Sequence, residues 1–140
     1  MEHERRVDQT ELKEVVQATF EKCGMAKVDA HLLADSLVYA DQSGIHSHGV
    51  LRVPEYIQKL TTDGVNPRGS PAIAREFGAC MVVDGNNSMG QIGMNFAMQE
   101  VLERANQHGI AAAGIRGSNH SGAMAYFAAQ ALDHLSLIHI

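Results

Sequence analysis

Two short apolar runs, residues 79–83 (ACMVV) and 110–115 (IAAAGI), flank a segment of helical periodicity. No other feature limits the fold as much. Each run has the length of a buried strand. Between them Ile92, Met94, Ala97, Met98, Val101, Leu102 and Ala105 recur at helix spacing. Ser88 is the candidate cap of that helix and His108-Gly109 its stop. Asp84-Gly85-Asn86-Asn87 forms the turn that enters it. Strand, helix, strand is a crossover unit, and it argues for an α/β chain. A polar turn over 116–122 then leads into a helix holding Met124, Phe127, Ala128 and Ala131.

Helices precede the first strand. Asp8 followed by Glu11 reads as a capping box with Asp as the cap, and Leu12, Val15, Val16 and Phe20 follow at helix spacing. Gly24 closes that helix in the left-handed conformation. Asp29 is the candidate cap of a second helix carrying Leu32, Leu33, Leu37 and Ala40, which ends near Ser43-Gly44. After the polar turn at 44–49 (GIHSHG), a short helix spans about 51–60, with Pro54 in its first turn, where no N–H is needed. Residues 61–71 (TTDGVNPRGSP) read as a loop.

The 140 residues suffice for one domain, and 45% hydrophobic against 19% charged residues is a globular balance. The net charge of -5, with no basic run, disfavours a nucleic-acid partner. No apolar stretch reaches a bilayer's thickness and none resembles a signal peptide, so no membrane role is expected. Cys23 and Cys80, far apart, fit a reducing cytoplasm better than a disulfide framework.

The glycines do not make a Rossmann fingerprint. Gly90 and Gly93 lack the preceding partner, and Gly114, Gly117 and Gly122 are spaced otherwise. There is no G-K-[ST], hence no P-loop. The chemistry-bearing residues are polar turns. His46 and His48, with His120, are three imidazoles that would make a hydrolytic zinc site; the alternative is hydrogen-bonded turn histidines, since no carboxylate or Cys stands at ligand spacing. Arg52 and Tyr56 fall four and eight residues after His48, so on a helix they share a face. An imidazole, a guanidinium fork and a phenol suit a small carboxylate ligand. The alternative is a solvated Arg52 and a core Tyr56 with its hydroxyl at the rim. Ser118-Asn119-His120-Ser121-Gly122 stands at the carboxyl end of the second strand, the edge where α/β folds place ligands. His120 there is a candidate acid or base; the other reading is a helix cap by Ser118 or Asn119.

These residues also make a pattern. Residues 39–49 (YADQSGIHSHG), followed by Arg52-Val53 and Tyr56, resemble the N-terminal signature of the malate/L-lactate dehydrogenase type-2 family. Gly109-Ile110, Gly114-Ile115, Asn119-His120-Ser121-Gly122-Ala123 and Tyr126-Phe127 match a second motif. Asp84-Gly85 and Gly90-Gln91 stand where that family has its D-G…G-Q element. The resemblance covers about residues 8–133, with its motifs in order. The wording looks closest to the members that oxidise ureidoglycolate to oxalurate with NAD. Malate, L-lactate, sulfolactate and cyclic-imine members share much of it.

The resemblance implies a mixed sheet with flanking helices, distinct from the doubly wound Rossmann fold. It also implies NAD or NADP as cofactor, a small 2-hydroxy acid as substrate, and a cytoplasmic homodimer. His120 matches the residue that takes the substrate hydroxyl proton. Arg52 matches the one that holds the carboxylate, with Tyr56 lining that pocket. His48 matches the histidine beside nicotinamide and substrate, and Ser47 a residue of a proton relay in some members. Ser121, with His48 and His120, falls on the cofactor side, and no metal is implied. The physical logic agrees: a hydride leaves carbon while a base removes the O–H proton, and a fixed cation orients the acid.

Two departures stand out. Family chains are well over twice this length, so residues 1–134 read as the N-terminal part of such a domain, active or inert by itself. Gly117-Ser118-Asn119 before His120 departs from the family's usual wording and bears on substrate choice. Residues 135–140 (LSLIHI) resemble translated sequencing-adapter read-through and read as a non-native tail; the alternative is a native strand cut short.

Overall fold

The computed structural model describes residues 6–134. The tail expected at 135–140 lies outside them. Along the chain come α1 (Gln9–Lys22), α2 (Lys27–Gln42), two 3-10 turns (His46–His48 and Val50–Arg52) and α3 (Val53–Thr61). Then follow β1 (Ala72–Phe77), β2 (Cys80–Asp84), α4 (Gly90–His108), β3 (Ala112–Arg116), α5 (Met124–Gln130) and a 3-10 turn at Leu132–His134. The architecture is mixed α/β, as the sequence implies.

The first helix begins and ends as its sequence dictates. The Asp8 carboxylate accepts from the N–H groups of Thr10 (2.8 Å) and Glu11 (3.1 Å), satisfying donors that the first turn leaves unpaired. Gly24 sits at φ +96° just past the helix end. Asp8→Ala is expected to cost about 1 kcal/mol, read as a lower denaturation midpoint at unchanged slope. Two other caps differ from expectation. α2 starts at Lys27 with Ala26 as its N-cap, leaving Asp29 in the first turn. α4 takes Met89 as N-cap, while Ser88 is buried with its hydroxyl donating to the Met89 carbonyl (3.2 Å).

The crossover unit forms. β2 and β3 pair in parallel, with Met81 opposite Ala113 and Val83 opposite Ile115, and α4 connects them. Met81, Val83 and Ala97 make a small core between sheet and helix, extended by Ile73, Phe96 and Val101. Both strands were expected to be buried runs, yet β3 alternates between exposed and half-buried residues. In an Ala- and Gly-rich run the two faces differ too little in size for the sequence to show that alternation. β3 also starts at Ala112, two residues late: Gly109, at φ +79°, ends α4, and Ile110 stays exposed.

β1 lies beyond the loop and was missed. It pairs antiparallel with β2 through a turn at Gly78 (φ +57°), with an irregularity between Ile73 and Arg75. As an edge strand carrying Arg75 and Glu76, with only Ile73 half-buried, it lacks an apolar signature.

A larger core joins the helices: Val16, Phe20, Leu33, Leu37, Tyr56, Leu60, Met89 and Ile92 among others. It draws on α1, α2, α3 and the start of α4, so it fixes the end of α4 facing α3. The site is built there. No helix among the described residues is long and apolar enough to cross a membrane.

Candidate functional site

The turn after α2 is held by one carboxylate. Asp41 Oδ1 lies 2.9 Å from His46 Nδ1, and Oδ2 accepts from the Val50 N–H at 2.8 Å. Gly49 makes this packing possible: a Cβ there would lie 2.1 Å from Asp41 Oδ1. The turn sends His46 to the surface and His48 inward, where it is half-buried with Nδ1 2.9 Å from the Ser47 hydroxyl.

The expected single helix face for His48, Arg52 and Tyr56 does not form. His48 and Arg52 belong to separate 3-10 turns, and α3 begins only at Val53, with Pro54 in its first turn. Both readings of Arg52 and Tyr56 then hold in part. Arg52 is half-buried, its Nε donating to the Ser47 carbonyl (2.7 Å) and one terminal nitrogen pairing with Glu55 (2.8 Å). Tyr56 is a core residue with its ring fully buried, yet its hydroxyl reaches the functional edge.

That edge is the carboxyl end of β2 and β3. The loops after the two strands interlock: Gly85 N–H donates to the Arg116 carbonyl and Asn87 N–H to the Gly117 carbonyl, both at 2.8 Å. Asn119 Nδ2 donates to the Ser88 carbonyl (2.9 Å) and to Asn87 Oδ1 (3.0 Å). Asn119 is therefore a loop clamp. The expected cap role of Ser118 or Asn119 falls instead to Ala123, the N-cap of α5. Gly90, first residue of α4, lets the 119–120 backbone press against the helix: a Cβ there would lie 2.2 Å from the Asn119 carbonyl and 2.5 Å from that of His120.

His120 thus meets three groups. Its Nδ1 is 2.7 Å from the Tyr56 hydroxyl and accepts from the Gly122 N–H at 3.3 Å. Its ring stacks on that of His48, with centroids 5.4 Å apart and 28° between planes. Gln91 Nε2 donates to the Tyr56 hydroxyl at 3.2 Å. With Nδ1 engaged by Tyr56 and Gly122, Nε2 is the nitrogen left to meet a substrate, and it is a base only in the tautomer whose proton sits on Nδ1 and is donated to the Tyr56 oxygen. Burial pushes the His120 pKa below the ordinary histidine value, helped by the positive charge of Arg52 and by His48. Burial likewise raises the Tyr56 phenol, which stays neutral. Glu55 is held down to about 2 by hydrogen bonds from Lys59 and then Arg52, so it is a permanent anion beside the guanidinium.

The structure brings together His48, Ser47, Arg52, Tyr56 and His120, with half-buried Ser121 next in the same turn. It separates His46, turned toward Asp41. Among the described residues no set of three His, Cys, Asp or Glu side chains is placed to hold a metal ion, and the three-imidazole zinc alternative falls. Tyr126 of the second motif serves elsewhere: its hydroxyl donates to Asp35 (2.7 Å), which also pairs with Lys13, tying α5 to α2 and α1. Sequence reasoning missed Asp41 and Gln91 as working parts. Asp41 carried a signal, an acid just before a His- and Gly-rich turn. Gln91 carried only its place in the G-Q pair.

The chain is similar to proteins of known family. The family model described as malate/L-lactate dehydrogenase matches residues 7–138. The chain belongs to that family. Among curated relatives, hydroxycarboxylate dehydrogenase B of Escherichia coli O157:H7 is 35% identical over 130 residues, covering 93% of this chain and 36% of the relative. The ureidoglycolate dehydrogenase (NAD(+)) of Escherichia coli K12 is 33% identical over 127 residues, covering 90% of this chain and 36% of the relative. The solved malate dehydrogenase of Pyrococcus horikoshii OT3 superposes with a TM-score of 0.90 at 32% identity, over 93% of this chain and 37% of that one. The chain therefore spans a little over a third of the relatives it matches. These neighbours fix the fold as that of the family.

A nicotinamide cofactor fits the residues present in part. The stacked imidazoles of His48 and His120 suit one flat heteroaromatic ring. The described residues contain no glycine-rich turn of the kind that cradles a pyrophosphate.

Proposed function

We propose that the protein containing this chain transfers a hydride between a nicotinamide cofactor, NAD in the first instance and NADP as the alternative, and a small 2-hydroxy acid. The observation that carries the reading is the hydrogen bond between the Tyr56 hydroxyl and His120 Nδ1, beside the Arg52 guanidinium. It sets an imidazole nitrogen and a fixed cation at one edge. Arg52 binds the substrate carboxylate in competition with Glu55, which Lys59 retains at 2.8 Å. His120 takes the substrate hydroxyl proton at Nε2 during oxidation and returns it during reduction. Tyr56 holds the ring in place, and His48 with Ser47 closes the opposite side. When bound, the nicotinamide supplies the hydride acceptor or donor.

Within this reading, ureidoglycolate is the substrate that the motif wording favours, and malate, L-lactate and sulfolactate are its competitors. The test is a panel of these acids with NAD and with NADP, followed by nicotinamide absorbance. Turnover of one acid names the substrate, and no turnover with any of them overturns the reading. Arg52→Leu is expected to raise KM about 10- to 100-fold, the worth of one charge-assisted fork, with a smaller change in kcat. The same reading makes the protein a cytoplasmic homodimer, which solution mass by light scattering and cell fractionation check.

A further inference from the structure

Gln91 is completely buried, and its Oε1 has no hydrogen-bond partner among the described residues. A buried acceptor left unpaired is costly, and this one belongs to the residue that donates to the Tyr56 hydroxyl. We propose that Gln91 is a positioning residue whose carboxamide, acting through Tyr56, sets which nitrogen of His120 carries the proton. The inference rests on His120 as the proton-transfer group.

The proton count makes the case. With the amide nitrogen facing Tyr56, the phenol accepts from Gln91 and donates to His120 Nδ1, which also accepts from Gly122. The neutral ring then carries its proton on Nε2, and Nε2 cannot take another. A base at Nε2 needs the other tautomer, with the proton on Nδ1 donated to the Tyr56 oxygen, and the Tyr56 O–H then needs a new acceptor. The unpaired Oε1 of Gln91 belongs to the same carboxamide, and turning that amide end for end within its own volume presents it to the phenol. In that arrangement Nε2 takes the substrate hydroxyl proton, while Nδ1–H to Tyr56 and Tyr56 O–H to Gln91 are kept. Tyr56 stays neutral throughout, as its burial favours. Other groups that act on His120 are the charges of Arg52, Lys59 and Glu55 and the ring of His48. None of them accepts the phenol proton.

The experiment is 15N NMR of histidine-labelled full-length protein, in which the two ring nitrogens of His120 are titrated separately, with no substrate present. In Gln91→Met the acceptor is gone, so protonated His120 loses support, and its midpoint is expected to fall by about one pH unit. Gln91→Glu keeps an oxygen facing Tyr56 and is expected to hold the midpoint at or above wild type, which also covers the case that Gln91→Met does not fold. In a Tyr56→Phe background the Gln91→Met shift is expected to vanish, because the route is gone. An unchanged midpoint in Gln91→Met, a fall in Gln91→Glu, or an undiminished shift without the phenol overturns the inference. Because the titration needs no turnover, failure here with a hydroxy acid still oxidised removes Gln91 alone and leaves the proposed function standing.

Discussion

His120→Ala is expected to reduce kcat for hydroxy-acid oxidation by about 10²- to 10⁴-fold, the usual contribution of a positioned acid or base. The size follows from its placement. The ring is held by the Tyr56 hydroxyl at 2.7 Å, by the Gly122 N–H at 3.3 Å and by the stacked His48, and Nε2 is left for the substrate. The fold is expected to survive, because His120 is half-buried and belongs to neither apolar cluster. Unfolding curves of the variant therefore serve as the control. Its pH profile gives a second check. Oxidation requires the neutral ring, and burial with the Arg52 charge lowers the pKa of His120. The acidic limb of wild-type kcat/KM is thus expected below the ordinary histidine value of about 6.5, and the variant is expected to lose that limb. Unimpaired turnover in His120→Ala removes the residue from the mechanism.

The sequence discloses the elements better than their joints. The crossover unit is legible because Met81 and Val83 are large enough to mark one strand face and because the Ile92-to-Ala105 stripe keeps helix spacing. β1 is illegible because an edge strand with charged side chains need not bury anything. Asp29 and Ser88 fail as caps for a common reason. Cap composition is satisfied by many polar residues near a helix start, whereas the backbone conformation that selects among them is set by the preceding loop. For the site, the His- and Gly-rich turns announce His48 and His120. Their meeting does not follow from spacing, since Tyr56 and His120 lie 64 positions apart and are joined only when α3 and the β3 loop both pack on the start of α4. Gln91 is hidden for the same reason: an amide one residue into a helix looks solvent-facing until the surrounding core is assembled.

Gly90 tests that joint directly. It has no positive φ to explain it; its requirement is space. Any side chain at this position places a Cβ 2.2 Å from the Asn119 carbonyl and 2.6 Å from the His120 carbonyl carbon, and backbone atoms cannot step aside as a flexible side-chain end does. Gly90→Ala therefore has to push the 119–120 segment off α4. The Asn119 clamp on Ser88 and Asn87 then strains, and the His120 ring moves away from Tyr56. Overpacking of this kind costs about 1–3 kcal/mol, and a displacement of about 1 Å at a reacting group costs about 10²-fold in rate. Gly90→Ala is accordingly expected to lower the melting temperature and to depress kcat/KM by at least about 10²-fold. Gly114→Ala is the matched control, because a Cβ in that strand meets nothing within 4 Å; it is expected to leave both quantities near wild type. Equal behaviour of the two variants would mean that the close approach of the His120 backbone to α4 does not position the ring, and the assembly of the site would have to be sought in α3 and the Asp41 turn.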